Sequence, residues 1–244
     1  MSRKVIAVLG VGPGLGLSMA HRFGREGFVT ALVSRNAERH EGYRASLSAA
    51  GIESRGYVAD VADEGELRGV LARIASDLGE IDTVYFGPGN LESGAGIVPI
   101  TELDAETVRG PYEATLIPPV NAVAAALPPM LERGDGALFF AGGLSGKYPM
   151  PLLGSLAPAT AALRMYVLTL AAALEGRGVY AATLTIGGLI ERGDIHRFVQ
   201  EHAARTGEAV PGTLDPDDIA DTAWNMYVAR DRAEAEFNAL TQPV

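Results

Sequence analysis

Residues 8–16 read VLGVGPGLG. Glycines at 10, 12, 14 and 16 follow a run of β-formers and lead into a helix-like segment. Glycine lets the chain turn tightly after a strand and lets backbone N–H groups come close to a phosphate. The positive end of the following helix adds to that attraction. The stretch therefore reads as the pyrophosphate loop of a dinucleotide site, made of Gly10, Gly12, Gly14, Leu15 and Gly16.

Working outward, strand and helix patterns alternate along the whole chain. Strands are expected at Lys4–Leu9, Phe28–Ser34, Gly56–Ala59, Thr83–Phe86, Gly136–Ala141 and Val179–Ile186, with a short last one at Glu234–Leu240. Helices are expected at Leu15–Gly27, Ala37–Ala50, Asp63–Leu78, Ala157–Glu175 and Asp217–Ala229. Continuous apolar strands separated by helix-length segments imply a parallel sheet covered on both faces. With right-handed crossovers this is a single α/β domain, a doubly wound, Rossmann-like parallel sheet. Two stretches read as irregular, 87–110 and 187–214. Both follow strand C-termini, where ligands bind in such sheets, and 187–214 is expected to form a substrate loop or lid.

The end of the second strand decides which dinucleotide fits. An acidic residue about twenty positions after the glycines would bind the ribose 2′-OH of NAD, whereas an arginine suits the 2′-phosphate of NADP. Here the chain reads Ser34–Arg35–Asn36, with no acid until Glu38. Ser34 and Arg35 thus point to NADP(H).

The 244 residues carry a net charge of −10, which argues against nucleic acid or an anionic membrane as partner. There is no cysteine, so disulfides, a thiolate nucleophile and a cysteine metal site are excluded, and no metal site is expected. This composition fits a reducing, cytoplasmic setting. The N-terminus has the basic-then-apolar order of a signal peptide, but its glycines and Pro13 read better as strand, loop and helix. The apolar stretch 116–131 holds four prolines and reads as too short for a membrane span of about 20 residues.

At this point the chain resembles the short-chain dehydrogenase/reductases over nearly its full length. Gly10, Gly14 and Gly16 match their Gly-x-x-x-Gly-x-Gly. Asp60–Val61, within VADVAD, matches the aspartate that the family places against adenine. Ile81–Asp82 leading to Gly89 matches the fourth strand and its turn, in which Gly87 and Gly89 would line the cofactor. Leu127–Pro128–Pro129–Met130 matches the family's Leu-Pro-x-Met at the end of its fifth helix, and Gly187 matches the glycine after the sixth strand. The resemblance implies a small-molecule substrate and a homodimer or homotetramer. Family members often continue past a Gly-Gly tail that helps close the tetramer, and this sequence stops at Val244.

The family's chemistry uses a tyrosine and a lysine four apart, a serine about thirteen residues before the tyrosine, and an asparagine. The resemblance places Leu156 at the tyrosine, Thr160 at the lysine, Gly143 at the serine and Thr115 at the asparagine. Leucine donates neither a proton nor a hydrogen bond. Ser145 and Tyr148, in SGKYP just after the fifth strand, are the candidate catalytic replacements. Adjacent residues of an extended loop point apart, so Lys147 and Tyr148 are not expected to act together. Ser155 and Thr160 could bond a ligand or cap a helix. His196 could cover the pocket or sit on a surface helix.

Three readings stay open on the sequence. One is an NADP(H) oxidoreductase with a non-standard proton donor. Another is a non-redox cyclase, dehydratase or isomerase. The third is an inactive nucleotide-binding or partner protein. Leu156 and Phe86 suggest an apolar pocket.

Overall fold

The computed structural model describes residues 3–87, 97–206 and 210–240. In chain order the elements are β1 (Val5–Leu9), α1 (Leu15–Arg25), β2 (Val29–Ser34), α2 (His40–Ala49), β3 (Ser54–Val58), α3 (Glu64–Leu78), β4 (Ile81–Phe86) and α4 (Ala105–Arg133). There follow β5 (Gly136–Gly143), α5 (Ala157–Ala173), β6 (Val179–Gly187), β7 (Leu189–Ile190), α6 (Asp194–Thr206), β8 (Thr213–Leu214), α7 (Pro216–Ala229) and β9 (Glu234–Asn238). Seven strands form one parallel sheet in the order β3-β2-β1-β4-β5-β6-β9. The order reverses at β1, so the crevice opens above the C-terminal ends of β1 and β4.

Every residue of β1 is buried. Period two sends its side chains to opposite faces. Val5, Ala7 and Leu9 join one core cluster with Leu67 and Ile74 of α3, Ala122 and Met130 of α4, and Leu163 and Val167 of α5. Ile6 and Val8 join the other, with Met19 and Phe23 of α1, Leu47 of α2, and Ile219 and Met226 of α7. Helices on both faces leave no strand of β1 type with a polar side, which is why its sequence does not alternate.

Local chemistry sets the boundaries. Asp63 caps α3 by accepting from Glu66 N at 2.8 Å. Asp104 and Thr107 form a reciprocal capping box on α4, and Gly134 ends that helix at φ 68°. α2 begins at His40 rather than at Ala37, because residues 34–39 are held in a turn by Ser34 and Asn36 side chains.

Three sequence expectations are corrected. α4 is continuous over 29 residues although it contains Pro111, Pro118, Pro119, Pro128 and Pro129. An interior proline costs about 3 kcal/mol in a helix. Here Pro111, Pro118 and Pro119 are buried, and burial of the helix face outweighs that cost. Stretch 87–110 is accordingly not all irregular, since α4 starts at Ala105. Length therefore does not exclude a span: α4 is long and apolar enough to cross a membrane. Its Ala122, Val123, Ala126 and Met130 instead pack on the sheet, as a core helix does. Finally, the described residues of 187–214 are not all irregular. They hold β7, α6 and β8, with β7 and β8 paired in a second small sheet.

Candidate functional site

The glycine loop closes on the sheet. Gly10 N and Val11 N donate to Val33 O of β2 at 3.0 and 2.9 Å, and Gly10 takes φ 84°. That backbone conformation favours glycine. A Cβ on Gly16 would lie 3.0 Å from Val11 Cα, so α1 can pack this close to the loop only with glycine there. Space beside Gly12 is open, with nothing within 4 Å of an added Cβ. Gly14 is the N-cap of α1, has no side-chain cap, and no acidic residue stands in the first turn. Leu15 opens the helix and is buried. The donors and the dipole at this end suit an anion.

At the end of β2, Ser34 Oγ donates to Asn36 O at 2.8 Å and lies 2.7 Å from His40 Nε2. With the hydroxyl proton on Asn36 O, a neutral His40 donates from Nε2. Burial, with Arg44 nearby, holds His40 below the usual imidazole range. The ring packs against Gly56, where no side chain would fit. Arg35 stands exposed on this turn, and no carboxylate precedes Glu38. Across the cleft, Asp60 accepts from Ala62 N at 2.9 Å, and its own N–H donates to Glu66 at 2.8 Å. Val61 is buried. Gly87 donates to Leu9 O at 3.1 Å and abuts the Tyr85 hydroxyl, while Gly89 lies outside the described residues. This arrangement of glycine loop, basic ribose turn and adenine-side aspartate fits an NADP-type dinucleotide.

Beyond β5 the chain makes a short turn, Leu144–Gly146, against the start of α5. Ser145 Oγ lies 3.0 Å from Thr160 Oγ1, which also contacts Leu156 O at 3.0 Å and Ala157 O at 3.1 Å. A Cβ on Gly143 would lie 3.3 Å from Thr160 Cγ2 and 3.5 Å from Ser145 Oγ. Ser145 and Thr160 thus stand where a side chain at 143 would reach. Leu156 is half-buried and places no donor there. Ser155 is structural: its N–H and Oγ both bond Val98, at 2.9 and 3.1 Å.

Tyr148 and Lys147 do not point apart. Both reach Glu236 of β9, Lys147 Nζ at 2.7 Å and Tyr148 Oη at 3.1 Å. The 144–146 turn, absent from an extended reading, brings them to the same side. Next to them Arg164 holds Glu234 through two bonds of 2.7 Å, and Thr185 adds a third at 2.7 Å. Arg164, aided by Thr185 and Lys147, pulls Glu234 down to about 2. The Tyr148 hydroxyl thus donates to the edge strand from an exposed position.

The segment after β6 lies on the glycine loop. A Cβ on Gly14 would be 3.1 Å from Ile190 Cγ2 and 3.2 Å from both Glu191 O and Gly193 Cα. Arg192, at φ 65°, reaches Ser18 of α1 at 3.3 Å and Asp217 of α7 at 2.8 Å. Asp194 then accepts from Arg39 at 2.6 Å and Arg197 at 3.0 Å. No local signal marks the pairs of Arg192 with Ser18 and of Asp194 with Arg39, which are 174 and 155 residues apart. His196 is half-buried on α6 with Nε2 shielded and without a hydrogen-bond partner.

Residues 4–197 match the family model described as short chain dehydrogenase. The chain belongs to that family. Among curated relatives of this short-chain dehydrogenase, 2,5-dichloro-2,5-cyclohexadiene-1,4-diol dehydrogenase LinX of Sphingobium indicum is 27% identical over 240 residues, covering 96% of this chain and 92% of the relative. 2-(S)-hydroxypropyl-CoM dehydrogenase 3 of Xanthobacter autotrophicus is 27% identical over 193 residues, covering 79% and 74%. Among solved structures, an actinorhodin polyketide ketoreductase variant with NADPH superposes at TM-score 0.84 and 21% identity, covering 98% of each chain. L-sorbose reductase of Gluconobacter frateurii, complexed with NADPH and L-sorbose, gives 0.77 at 21%, covering 98% and 96%. At these identities the structural likeness establishes the shared fold.

Proposed function

We propose that this short-chain dehydrogenase binds NADP(H) above β1 and β4 and interconverts a carbonyl and an alcohol on a small, largely apolar molecule. The observation that carries the reading is the ribose turn: Arg35 is exposed beside the glycine loop's cleft, and the Ser34–Asn36 turn itself carries no carboxylate. Solved neighbours with NADPH and dehydrogenase relatives of small alcohols support it. When bound, the nicotinamide supplies or accepts hydride. Gly10–Gly16 hold the pyrophosphate, Ser34 and Arg35 the ribose phosphate, Asp60 and Val61 the adenine, and Gly87 lines the turn beside them.

In this reading Ser145 donates a hydrogen bond to the reacting oxygen, and Thr160 orients it. Such a donor contributes about 10²–10³ in rate. Thr160 otherwise meets only the carbonyls of Leu156 and Ala157, which carry no proton to resupply. The pair polarises without a renewable acid, so turnover is slow beside that of a tyrosine–lysine pair. Tyr148 takes no part, since its proton serves Glu236. β7, α6 and β8 form the lid over 187–214. Exposed Tyr112, Ile117 and Met165 on α4 and α5 form the face of a homodimer.

Calorimetric titration with NADPH, NADP, NADH and NAD tests the cofactor half. Micromolar NADPH binding, weakened about tenfold or more by Arg35→Ala and much weaker for NADH, is the expected result. A panel of carbonyl substrates then tests turnover. Binding without NADPH oxidation on any of them would favour a nucleotide-binding protein, and turnover without nicotinamide would favour a non-redox enzyme.

A further inference from the structure

Gly14, Gly193, Asp194 and Arg39 draw a continuous line across the mouth of the nucleotide cleft. Gly193 Cα lies 3.2 Å from where a Cβ on Gly14 would be, Asp194 follows it, and Arg39 Nη1 bonds Asp194 Oδ2 at 2.6 Å. One end of the line is the pyrophosphate loop. The other is the turn that carries Arg35, because Arg39 adjoins His40, whose ring bonds Ser34 of that turn. A dinucleotide running from Gly14 to Ser34 passes under this line.

We propose that Arg39 is a second ligand for the cofactor's 2′-phosphate, and that Asp194 of the lid holds it until the phosphate takes it. This rests on the NADP(H) reading above. The exchange is favourable on three counts. The Arg39 and Asp194 side chains are 52% and 47% exposed, and ion pairs that open to water are weak. A phosphate offers a guanidinium more acceptor oxygens and more charge than one carboxylate does. Asp194 also keeps a counter-charge after release, since Arg197 lies 3.0 Å away on the same helix. NAD(H) presents only a hydroxyl at this position and cannot draw Arg39 from Asp194. The same step that reads the 2′-phosphate therefore frees the first turn of α6. By linkage, whatever frees Arg39 from Asp194 must tighten NADPH and leave NADH unmoved.

The test is a double-mutant cycle on the full chain, reading calorimetric affinities for NADPH and NADH in wild type, Asp194→Asn, Arg39→Ala and the double variant, each checked for an unchanged urea midpoint. Asp194→Asn should tighten NADPH about 2–5-fold, the range of an exposed ion pair, and leave NADH unchanged. Arg39→Ala should weaken NADPH about tenfold without affecting NADH. In the Arg39→Ala background, Asp194→Asn should do nothing. Equal effects on both nucleotides, a gain that survives without Arg39, or no effect of Asp194→Asn would overturn the exchange while Arg35-dependent NADPH binding still stood. Failure of wild type to bind any of the nucleotides would remove the cofactor reading and this one together.

Discussion

The hydroxyls of Ser145 and Thr160 lie 3.0 Å apart, in the space that a side chain on Gly143 would enter. Ser145 thus brings a hydroxyl to this space from two residues further along the chain. Ser145→Ala should cut carbonyl turnover about 10²-fold with NADPH affinity unchanged. Thr160→Val, which keeps shape but removes the partner, should cost about tenfold, the worth of one hydrogen bond. Steady-state kinetics on the best panel substrate measure both. An unaltered rate in Ser145→Ala would mean that another group holds the oxygen.

Gly12 and Gly14 differ in what surrounds them: Gly14 meets the segment after β6, and Gly12 meets open space. Gly14→Ala places a methyl 3.1 Å from Ile190 Cγ2 and 3.2 Å from Glu191 O, so the lid root must move. A stability loss of about 1–2 kcal/mol is expected, with faster proteolysis in α6. Gly12→Ala meets nothing within 4 Å and should leave the urea midpoint in place. Any weakening of NADPH in Gly12→Ala then reports close approach of the nucleotide alone.

Glu234 sets an acid limit on stability. Its carboxyl titrates near 2 in the folded chain, against an ordinary 4.5, chiefly because of Arg164. A depressed carboxylate stabilises the fold above the ordinary value, and that contribution is lost as pH falls from 4.5 towards 2. Urea midpoints measured across this window should fall steeply in wild type. Glu234→Gln should be less stable at neutral pH by about 2 kcal/mol, from loss of charge-assisted bonds, and should show a shallower fall.

Each tandem proline pair leaves one carbonyl of α4 without a regular partner, Thr115 O before Pro118–Pro119 and Ala125 O before Pro128–Pro129. Thr115 O would accept from position 118 or 119, and Pro118 and Pro119 have no N–H. Pro119→Ala restores a donor and relieves the ring clash, at the expense of some buried volume. A net gain of about 1–2 kcal/mol in unfolding free energy is expected. A loss would show that the proline ring's packing outweighs its backbone cost.

The β1–loop–α1 unit was legible because its signals are local: VIAVL buried on both faces, then glycines where the backbone takes φ 84° or where an added Cβ would lie 3.0 Å from the loop backbone. α4 was legible only through the family resemblance, which ends a helix at Leu127–Met130; local propensity counts each proline against a helix, while the burial that overrides it comes from the sheet. α6 was read as loop for a similar reason. It buries no residue fully and is tied at its start by Arg39 from far along the chain.

The sequence by itself determined the doubly wound parallel sheet, the family, and the glycine-rich turn between β1 and α1. Each depends on residue type at fixed spacing along the chain. Only the tertiary structure decided which side chains meet. Ser145 meets Thr160, Lys147 and Tyr148 converge on Glu236, and Asp194 takes Arg39. These pairs join segments that are separate in the chain. Their distances depend on how helices pack on the sheet, a many-body outcome of burial that no local pattern encodes.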